Sequence, residues 1–429
     1  MNQKPDKKIG LIYSISLVIG NMIGSGIFLL PASLAVYGNI SLLGWIFSFL
    51  GAMILSVIFG NLSKLVPSAA GGPYEYTKQI FGPFPAYLVA WCYWASIWFG
   101  NAAIVVALLG YLGVFIPILK ENVVAAICTG WFFIWLFTWV NTRNIRFVGN
   151  VQLLTTILKV IPLLFIGVVG IFYIDYNKVS LDFEWNFSYL TAAVTLTFFA
   201  FQGIESATIT SDQVDGDEST VKKATILGTL ITSFIYMIGS FVVMALLGTE
   251  VLKASTSPFA DASSLFLGPW AKYIVAAGAV FSTLGALNGW ILLQGHIPMA
   301  AAQDRLFPPV FGIKNQEGSP ARGIIITSII TSLLMLLNYI NGLVSLFTNM
   351  ITLSTLAVIV PYLSSVAAYF VVANKNKYLT EKSKIFLPLT AFLFLFWVIS
   401  GTGWETIFYG LSFILAGVIF YYTTLKYRV

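Results

Sequence analysis

The chain has 429 residues, of which 58% are hydrophobic and only 9% are charged, and its formal net charge is +6. Soluble domains carry roughly 25% charged residues, so this composition excludes a protein folded around a single water-exposed core. The basic excess does not indicate nucleic acid as a partner, because the lysines and arginines sit in short loops between apolar runs and form no basic helix.

Apolar runs of about 18 or more residues recur along the chain, and each can cross the ~30 Å hydrocarbon core of a bilayer. Backbone polar groups find no partners in lipid, so such runs must be helices. The sequence therefore predicts an all-α membrane protein with about twelve transmembrane helices. The predicted spans are 10–34, 40–63, 84–116, 123–141, 149–173, 187–211, 224–248, 270–299, 323–340, 344–373, 385–402 and 405–425.

The placement of lysine and arginine predicts the orientation. If the N-terminus faces the cytoplasm, 18 basic residues lie on the cytoplasmic side, four (Lys120, Lys178, Lys253 and Lys272) lie outside, and Lys159 falls within a span. This distribution follows the positive-inside rule. We therefore expect a multi-pass protein of the cell inner (plasma) membrane with both termini in the cytoplasm. The first apolar run is too long for a cleaved signal peptide, so we expect it to be a true span.

The stretches between predicted spans are short, about twenty residues at most, so residues 1–429 are expected to form a single transmembrane domain. Short surface helices are expected near 257–263 and 302–309. Cys92 and Cys128 lie within apolar runs and are expected to be small packing residues. With one histidine and two isolated cysteines, the sequence predicts no metal site, no cofactor and no enzyme chemistry.

Two predicted spans are interrupted in corresponding places. Span 1 contains Gly24, Ser25 and Gly26 at its middle, and span 6 contains the run 202–206, Gln-Gly-Ile-Glu-Ser. Glycine in a span can reflect close helix packing. Interruptions five spans apart instead favour a five-plus-five inverted repeat with broken helices 1 and 6. Repeat one would cover about 10–173, repeat two about 187–373, and two extra helices about 385–425.

Broken helices at membrane depth predict a binding site, because unwound backbone is tolerated there only where it lines a cavity. The half-helix after Gly24, Ser25 and Gly26 would present amide groups and a positive dipole end, which suit a carboxylate. The unwound carbonyl groups of span 6 would suit an ammonium group. Together they predict a site for an α-amino acid or a related zwitterion.

Four segments carry a resemblance to a known family. The run 21–32 (NMIGSGIFLLPA) resembles the first-helix motif of the amino acid–polyamine–organocation (APC) superfamily, and 67–76 (PSAAGGPYEY) resembles its second loop. The segments 204–207 (IESA) and 306–309 (LFPP) also match. The matches follow the family order along most of the chain. Within the superfamily, the sequence most resembles bacterial basic amino acid/polyamine antiporters such as arginine/agmatine exchangers.

The resemblance implies a LeuT-like fold and assigns roles to particular residues. The substrate carboxylate would bind at Gly24, Ser25 and Gly26. Other implied substrate contacts are Asn101 of span 3, Trp290 of span 8 and Ser354 of span 10. The family's outer gate would consist of Tyr93, Glu205 and Tyr362. Each of these polar or aromatic side chains could instead tie helices together or pack.

Two departures from the arginine exchangers bear on the substrate. Phe199 stands where those exchangers place a tryptophan, and a phenylalanine ring is a weaker cation–π partner. Gln202 stands where they carry an apolar residue, so a polar group would alter the side-chain pocket. These departures put arginine as the substrate in doubt, while the site for the amino acid backbone is unaffected.

Lys159 and Glu205 are the charged residues that fall clearly inside predicted spans, and intramembrane charges are costly and usually functional. A buried pair between them is the simplest alternative. The match favours gating or pH sensing for Glu205. In other branches of the superfamily, a span 5 lysine occupies the place where sodium-coupled relatives bind sodium. We therefore expect Lys159 to replace that ion and to hydrogen-bond carbonyl groups near Gly20 and Asn21.

These observations predict a secondary active transporter of amino acids or their amine products that works by alternating access, through exchange or proton coupling. The alternative within this class is a proton-coupled symporter of neutral amino acids, which Lys159, Phe199 and Gln202 favour. A channel is disfavoured because no selectivity filter or charged ring is visible. Expected partners are the small-molecule substrate, protons and membrane lipid. The sequence does not determine the oligomeric state, and a homodimer is one possibility.

Overall fold

The computed structural model describes residues 10–66, 72–143, 160–174, 185–209, 218–338, 342–376 and 379–425. Within these ranges every regular element is a helix. Eight described stretches are long and apolar enough to cross a membrane, and three shorter apolar helices accompany them. The all-α membrane class is thereby confirmed, while the count of twelve spans and the inverted repeat stay predictions.

The helices of the first half lie in chain order between Leu11 and Ile209. They are α1 (Leu11–Met22), α2 (Gly26–Leu34), α3 (Ser41–Leu65), α4 (Pro73–Phe81), α5 (Pro83–Leu112), α6 (Ile118–Glu121), α7 (Val123–Asn141), α8 (Val160–Tyr173), α9 (Phe187–Phe199) and α10 (Ser206–Ile209). The helices of the second half follow. They are α11 (Glu218–Ala254), α12 (Pro258–Leu267), α13 (Pro269–Gln303), α14 (Ala321–Asn338), α15 (Leu343–Lys375), α16 (Leu387–Ser400) and α17 (Trp404–Phe420).

Of the two expected surface helices, the structure contains one. The segment 257–263 opens α12, with Pro258 at its first position, where the missing N–H of proline has no cost. The prediction for 302–309 is wrong. There α13 runs on to Gln303, Arg305 adopts a positive φ of 64°, and only a 3₁₀ turn at Pro309–Gly312 follows. The reason is the pair of prolines at 308–309, because proline disfavours helical backbone in the residue before it.

The predicted break in span 1 is confirmed. Helix α1 ends at Met22, and Ile23 is extended with φ −73° and ψ 91°. Helix α2 begins at Gly26 with Ser25 as its N-cap residue, and Ser25 is buried. The first amide groups of a helix have no acceptor within that helix. The start of α2 therefore supplies backbone donors inside the protein rather than at its surface.

The predicted break in span 6 is also confirmed. Helix α9 ends at Phe199, and the chain resumes helical geometry at Ser206. Gly203, between them, has φ 102°, a conformation open to glycine and strained for other residues. This one residue lets the chain turn without a regular helix over 200–205.

The two breaks pack directly against each other. A Cβ atom on Gly26 would lie 3.1 Å from Ala200 Cβ, and a Cβ atom on Gly203 would lie 3.1 Å from the Asn21 carbonyl carbon. The Asn21 side-chain amide donates to Ser206 Oγ at 2.9 Å, which joins the first break to the second. The small size of both glycines is what permits this approach.

Tyr236 of α11 ties the same two breaks together from behind. Its hydroxyl lies 2.6 Å from the Met22 carbonyl oxygen and 3.1 Å from the Ala200 carbonyl oxygen. These are carbonyl groups at the ends of α1 and α9, which lack a partner within their own helices. Tyr236 is fully buried, so no water replaces this contact.

We expect Tyr236→Phe to destabilise the protein by about 1–3 kcal/mol, because it leaves buried acceptors unsatisfied. Thermal unfolding of the purified protein in detergent measures this loss. Tyr273→Phe is the matched control, because the Tyr273 side chain is half exposed and its change should leave the unfolding temperature unaltered. Equal unfolding temperatures for all three proteins would contradict the bridging role of Tyr236.

Candidate functional site

A narrow cavity lies where the two helix breaks meet. Its wall comes from the α1–α2 break, α5, the end of α9 and α13. The lining residues used below are Gly24, Ser25, Gly26, Ser96, Gly100, Phe199, Gln202 and Trp290. The structure thus brings the predicted carboxylate turn, the predicted aromatic wall and Gln202 into one cavity.

No charged side chain is among the described residues that line this cavity. A ligand there would meet backbone dipoles, amides, hydroxyl groups and aromatic faces. Ser25 Oγ is buried and has no hydrogen-bond partner among the described residues. It stands at the start of α2, where backbone donors and the positive dipole end favour an anionic group. One side of the cavity is therefore suited to a carboxylate.

The same cavity is also lined by Gln202, Phe199 and Trp290. The Gln202 side chain is 7% exposed, and one end of its amide has no partner among the described residues. The Phe199 ring packs edge-on against Phe347 at 6.3 Å between centroids. Trp290 is half-buried on α13. Aromatic faces and a single amide can hold an apolar stem that ends in a polar group.

Asn101 and Ser354 lie beside this cavity without lining it. The Asn101 side-chain amide donates to Gln294 Oε1 at 2.8 Å, and Ser354 Oγ contacts the Ser96 carbonyl oxygen at 2.8 Å. Ser354 also lies 3.0 Å from the Gln202 amide. Ser354 thus contacts two residues that line the cavity, whereas the partner of Asn101 does not line it.

The three predicted gate residues form a single cluster. The hydroxyl groups of Tyr93 and Tyr362 donate to the two carboxylate oxygens of Glu205, one to each, and the Tyr362 bond is 2.6 Å long. Glu205 and Tyr362 are fully buried, and Tyr93 is 2% exposed. The ion pairs among the described residues do not include Glu205. A buried carboxylate is here held by hydroxyl donors from two helices.

The position of this cluster bears on the predicted outer gate. Helices α5 and α15 run antiparallel, since Ser354 contacts Ser96 while Thr77, just before α5, contacts Ser364. Tyr93 precedes Asn101 by eight residues and Tyr362 follows Ser354 by eight, which places both tyrosines about 12 Å from those residues in one direction. That direction leads to α4.

The face at α4 is the one that the basic residues predict to be cytoplasmic. An outer gate is therefore inconsistent with the predicted orientation of the termini, and the cluster of Tyr93, Glu205 and Tyr362 lies between the cavity and the predicted cytoplasmic face. The outer gate, which was taken from the resemblance alone, and the cytoplasmic termini are therefore alternative predictions, of which only one can hold.

A second polar cluster closes this face beyond the gate. The Tyr74 hydroxyl and Lys78 Nζ both donate to Asp304 Oδ2, at 2.6 and 2.7 Å, and Lys78 also pairs with Glu75 at 3.3 Å. Burial lowers the pKa of Lys78, but its hydrogen bond to Asp304 and the neighbouring carboxylates outweigh burial and raise it overall. Burial and then Asp304 raise the pKa of Tyr74. The cluster links α4 to the end of α13.

Lys159 lies outside the described residues. The contacts expected for it near Gly20 and Asn21, and a pair between Glu205 and Lys159, therefore stay predictions.

Sequence reasoning missed Tyr236, Gln294 and Ser96 as residues that support the site. For Tyr236 and Gln294 the available signal was a polar side chain within a long apolar run, which in a membrane protein commonly marks a hydrogen bond between helices. Ser96 acts through its backbone carbonyl, which no side-chain pattern reveals.

The chain matches the family model for amino acid permeases over residues 9–423. The chain belongs to the amino acid permease family. This permease is 34% identical to the cadaverine/lysine antiporter of Escherichia coli (strain K12), over 84% of the chain and 82% of that protein. It is 28% identical to the arginine/agmatine antiporter of Chlamydia pneumoniae, over 97% of the chain and 90% of that protein.

A third relative is the arginine/ornithine antiporter of Pseudomonas aeruginosa, at 30% identity over 86% of the chain and 79% of that protein. Membership of this family, together with the apolar helices, makes the permease a multi-pass membrane protein. It is an amino acid transporter with a small-molecule substrate and is not an enzyme. The resemblance seen in its motifs is thereby confirmed.

Bulk at Gly26 is expected to reduce transport by about tenfold or more, because overpacking typically costs ~1–3 kcal/mol and the added carbons would press on Ala200 and Phe199. Gly26→Val is measured as initial uptake per folded protein in proteoliposomes. Gly10→Val is the control, since a Cβ atom there meets nothing within 4 Å. Normal transport by Gly26→Val would contradict the placement of the site at the break.

Glu205→Gln is expected to change the pH dependence of transport more than substrate affinity, since glutamine keeps the shape of the side chain but cannot titrate. Initial rates across the acidic to neutral range, together with binding measured at each pH, test this. Tyr93→Phe removes one of the two hydrogen bonds without removing the carboxylate, and it serves as the control. A pH profile that Glu205→Gln leaves unaltered would make Glu205 a purely structural carboxylate.

Proposed function

We propose that this permease exchanges an amino acid for an amine product across the cell inner membrane by alternating access, with both termini in the cytoplasm. The observation that carries the proposal is the uncharged cavity between two facing helix breaks. The first amides of α2 and Ser25 would hold the substrate carboxylate. Phe199, Gln202 and Trp290 would receive the side chain.

The position of the gate supports alternating access. A substrate held in the cavity is separated from the α4 face by the Tyr93–Glu205–Tyr362 cluster and then by the Tyr74–Lys78–Asp304 cluster. Opening towards this face requires both layers to separate. In the proposed cycle these layers part only while the opposite side of the cavity is closed, so exchange proceeds without a continuous pore.

The relatives support exchange rather than uptake alone, since the three named above are antiporters for an amino acid and, in two cases, an amine. The proposal includes the predicted twelve-helix, five-plus-five architecture as a single domain, within which the two breaks would occupy equivalent places. Lys159 would take the place of a sodium ion beside the first break, so sodium would be dispensable.

A proton-coupled symporter of neutral amino acids is the second candidate. The observation that favours it is Phe199 in the cavity wall, because phenylalanine offers a smaller aromatic face to a cationic side chain than tryptophan does. In that mechanism Glu205 or Lys159 would carry the proton, and no counter-substrate would be required.

Proteoliposomes separate the two candidates. Vesicles are loaded with one unlabelled solute, drawn from amino acids and polyamines, and uptake of an external labelled amino acid is followed without sodium. Exchange predicts uptake that depends on the internal solute and persists without a pH gradient. Uptake into empty vesicles that a pH gradient alone drives would replace exchange by proton symport, and a requirement for a sodium gradient would contradict both.

Lys159→Ala refines the same experiment. If the lysine couples protons, its removal should impair net uptake more than exchange, because exchange returns the protein to the same loaded state. An equal loss in both assays would assign Lys159 a structural role. Lys272→Ala, at the start of α13 and paired with Asp261 at 2.8 Å, is the control for loss of a positive charge.

A further inference from the structure

The hydroxyl group of Ser354 has two neighbouring acceptor oxygens but only one hydrogen to donate. Its oxygen lies 2.8 Å from the Ser96 carbonyl oxygen and 3.0 Å from Gln202 Oε1, while a hydroxyl carries a single hydrogen. The Ser96 carbonyl can only accept, so it takes that hydrogen. In this arrangement the contact with Gln202 would set two acceptors against each other, and the NH₂ group of Gln202 would be buried without a partner.

Rotation of the Gln202 amide by half a turn removes both problems. The two ends of an amide have the same shape, and the hydrogen-bond network decides which end faces which neighbour. After rotation, the NH₂ group donates to Ser354 Oγ, and Ser354 donates to the Ser96 carbonyl. The atom of Gln202 left without a partner is then its carbonyl oxygen, among the residues that line the cavity.

A second chain of hydrogen bonds likewise leaves the carbonyl oxygen of the Asn101 amide as the end without a partner. Gln294 Nε2 lies 3.0 Å from the Ile324 carbonyl oxygen, which can only accept, and 2.8 Å from Ser328 Oγ. Gln294 must therefore turn its oxygen to Asn101, and Asn101 must donate to it at 2.8 Å. Asn101 Oδ1 is left buried without a partner among the described residues. This chain, like the first, is anchored on a backbone carbonyl.

We propose that the first chain locks Gln202 with its carbonyl oxygen turned to the cavity, so that this amide accepts a hydrogen bond from the substrate side chain and donates none. The second chain fixes the same polarity at Asn101, the residue after the cavity-lining Gly100. The subsite then selects a side chain that ends in a primary amine over one that ends in a methyl group or a carboxylate. Ser354 and Gln294 act as positioning residues, because each works through the amide that it holds. The inference rests on the proposed function and names its substrate class.

The chemistry of the cavity is consistent with this selection. No carboxylate lines it among the described residues, so an ammonium group would be bound by dipoles and aromatic faces. A hydrogen bond from a charged donor is stronger than one between neutral groups. A ligand whose side chain ends in a carboxylate would bring acceptor against acceptor. Phe199 and Trp290 would contact the apolar stem, which both kinds of ligand can share.

Lysine and norleucine test the proposal, because norleucine is lysine without its terminal amine. Binding of each is measured by calorimetry on the purified full-length protein, which does not depend on transport. Ser354→Ala frees the Gln202 amide to rotate, and we expect it to lower the preference for lysine over norleucine by about tenfold, while norleucine binding changes little. Ser354→Thr, which keeps the hydroxyl group, should restore the preference.

Thr355→Ala is the matched control. Thr355 is the next residue on α15, is fully buried, and has a hydroxyl group without a partner among the described residues. Its change should leave the preference unaltered. Gln294→Met tests the second chain with the same two ligands and should also lower the preference for lysine.

The results distinguish two kinds of failure. If Ser354→Ala weakens lysine and norleucine equally, or if Thr355→Ala has the same effect, the polarity lock is overturned while the proposed function stands. If wild-type protein binds norleucine as tightly as lysine, the selected class is wrong. If it binds neither ligand, the proposed function fails, and the inference fails with it.

Discussion

The constraint on which this structure depends is that helix breaks inside a membrane protein must find hydrogen-bond partners within the protein. The permease meets this requirement by placing one break against the other. Asn21 of the first donates to Ser206 beyond the second, and the hydroxyl group of Tyr236 lies near a carbonyl of each. The cavity is the remaining space between two unwound segments that stabilise one another, and its position follows from that pairing.

This arrangement explains why small residues occur where they do. Gly26 and Gly203 allow close approach of backbone segments, and Gly203 also takes a conformation that other residues avoid. A larger residue at either position would separate the breaks before it altered any ligand contact. Binding and folding are therefore coupled here. The backbone and side-chain polar groups available to a ligand are those that form no hydrogen bond between the two breaks.

Much of the fold could be predicted from the sequence, because long apolar runs and interrupting glycines act locally. The bounds of α7 agree with the predicted 123–141, and both breaks fall where Gly24–Gly26 and 202–206 indicated. Helix α11 begins before its predicted start at 224, because polar residues such as Glu218 extend the helix past the apolar limit that hydropathy detects. At its other end, Gly248 has a φ of 71° and interrupts the helix at the predicted residue 248.

The residues of the candidate site could be predicted from the sequence, but most of the hydrogen bonds between them could not. Motifs identified Ser25, Glu205 and Trp290, but the hydrogen bonds of Gln294 and Tyr236 join residues far apart in the chain, and no local pattern encodes them. The side of the proposed gate was not predictable from local motifs for a related reason. It depends on the relative direction of α5 and α15, which becomes visible only when contacts such as Ser354–Ser96 fix their antiparallel packing.

The bonding of Glu205 has a consequence for how the gate can move. Each carboxylate oxygen accepts one hydroxyl hydrogen, from Tyr93 on α5 and from Tyr362 on α15. If one helix moved away alone, it would leave a bare carboxylate oxygen and a bare hydroxyl group in a dry interior, which is costly for both. Intermediate openings of the proposed gate are thus disfavoured, and it would behave as a cooperative two-state element that exchanges both hydrogen bonds for water in a single event.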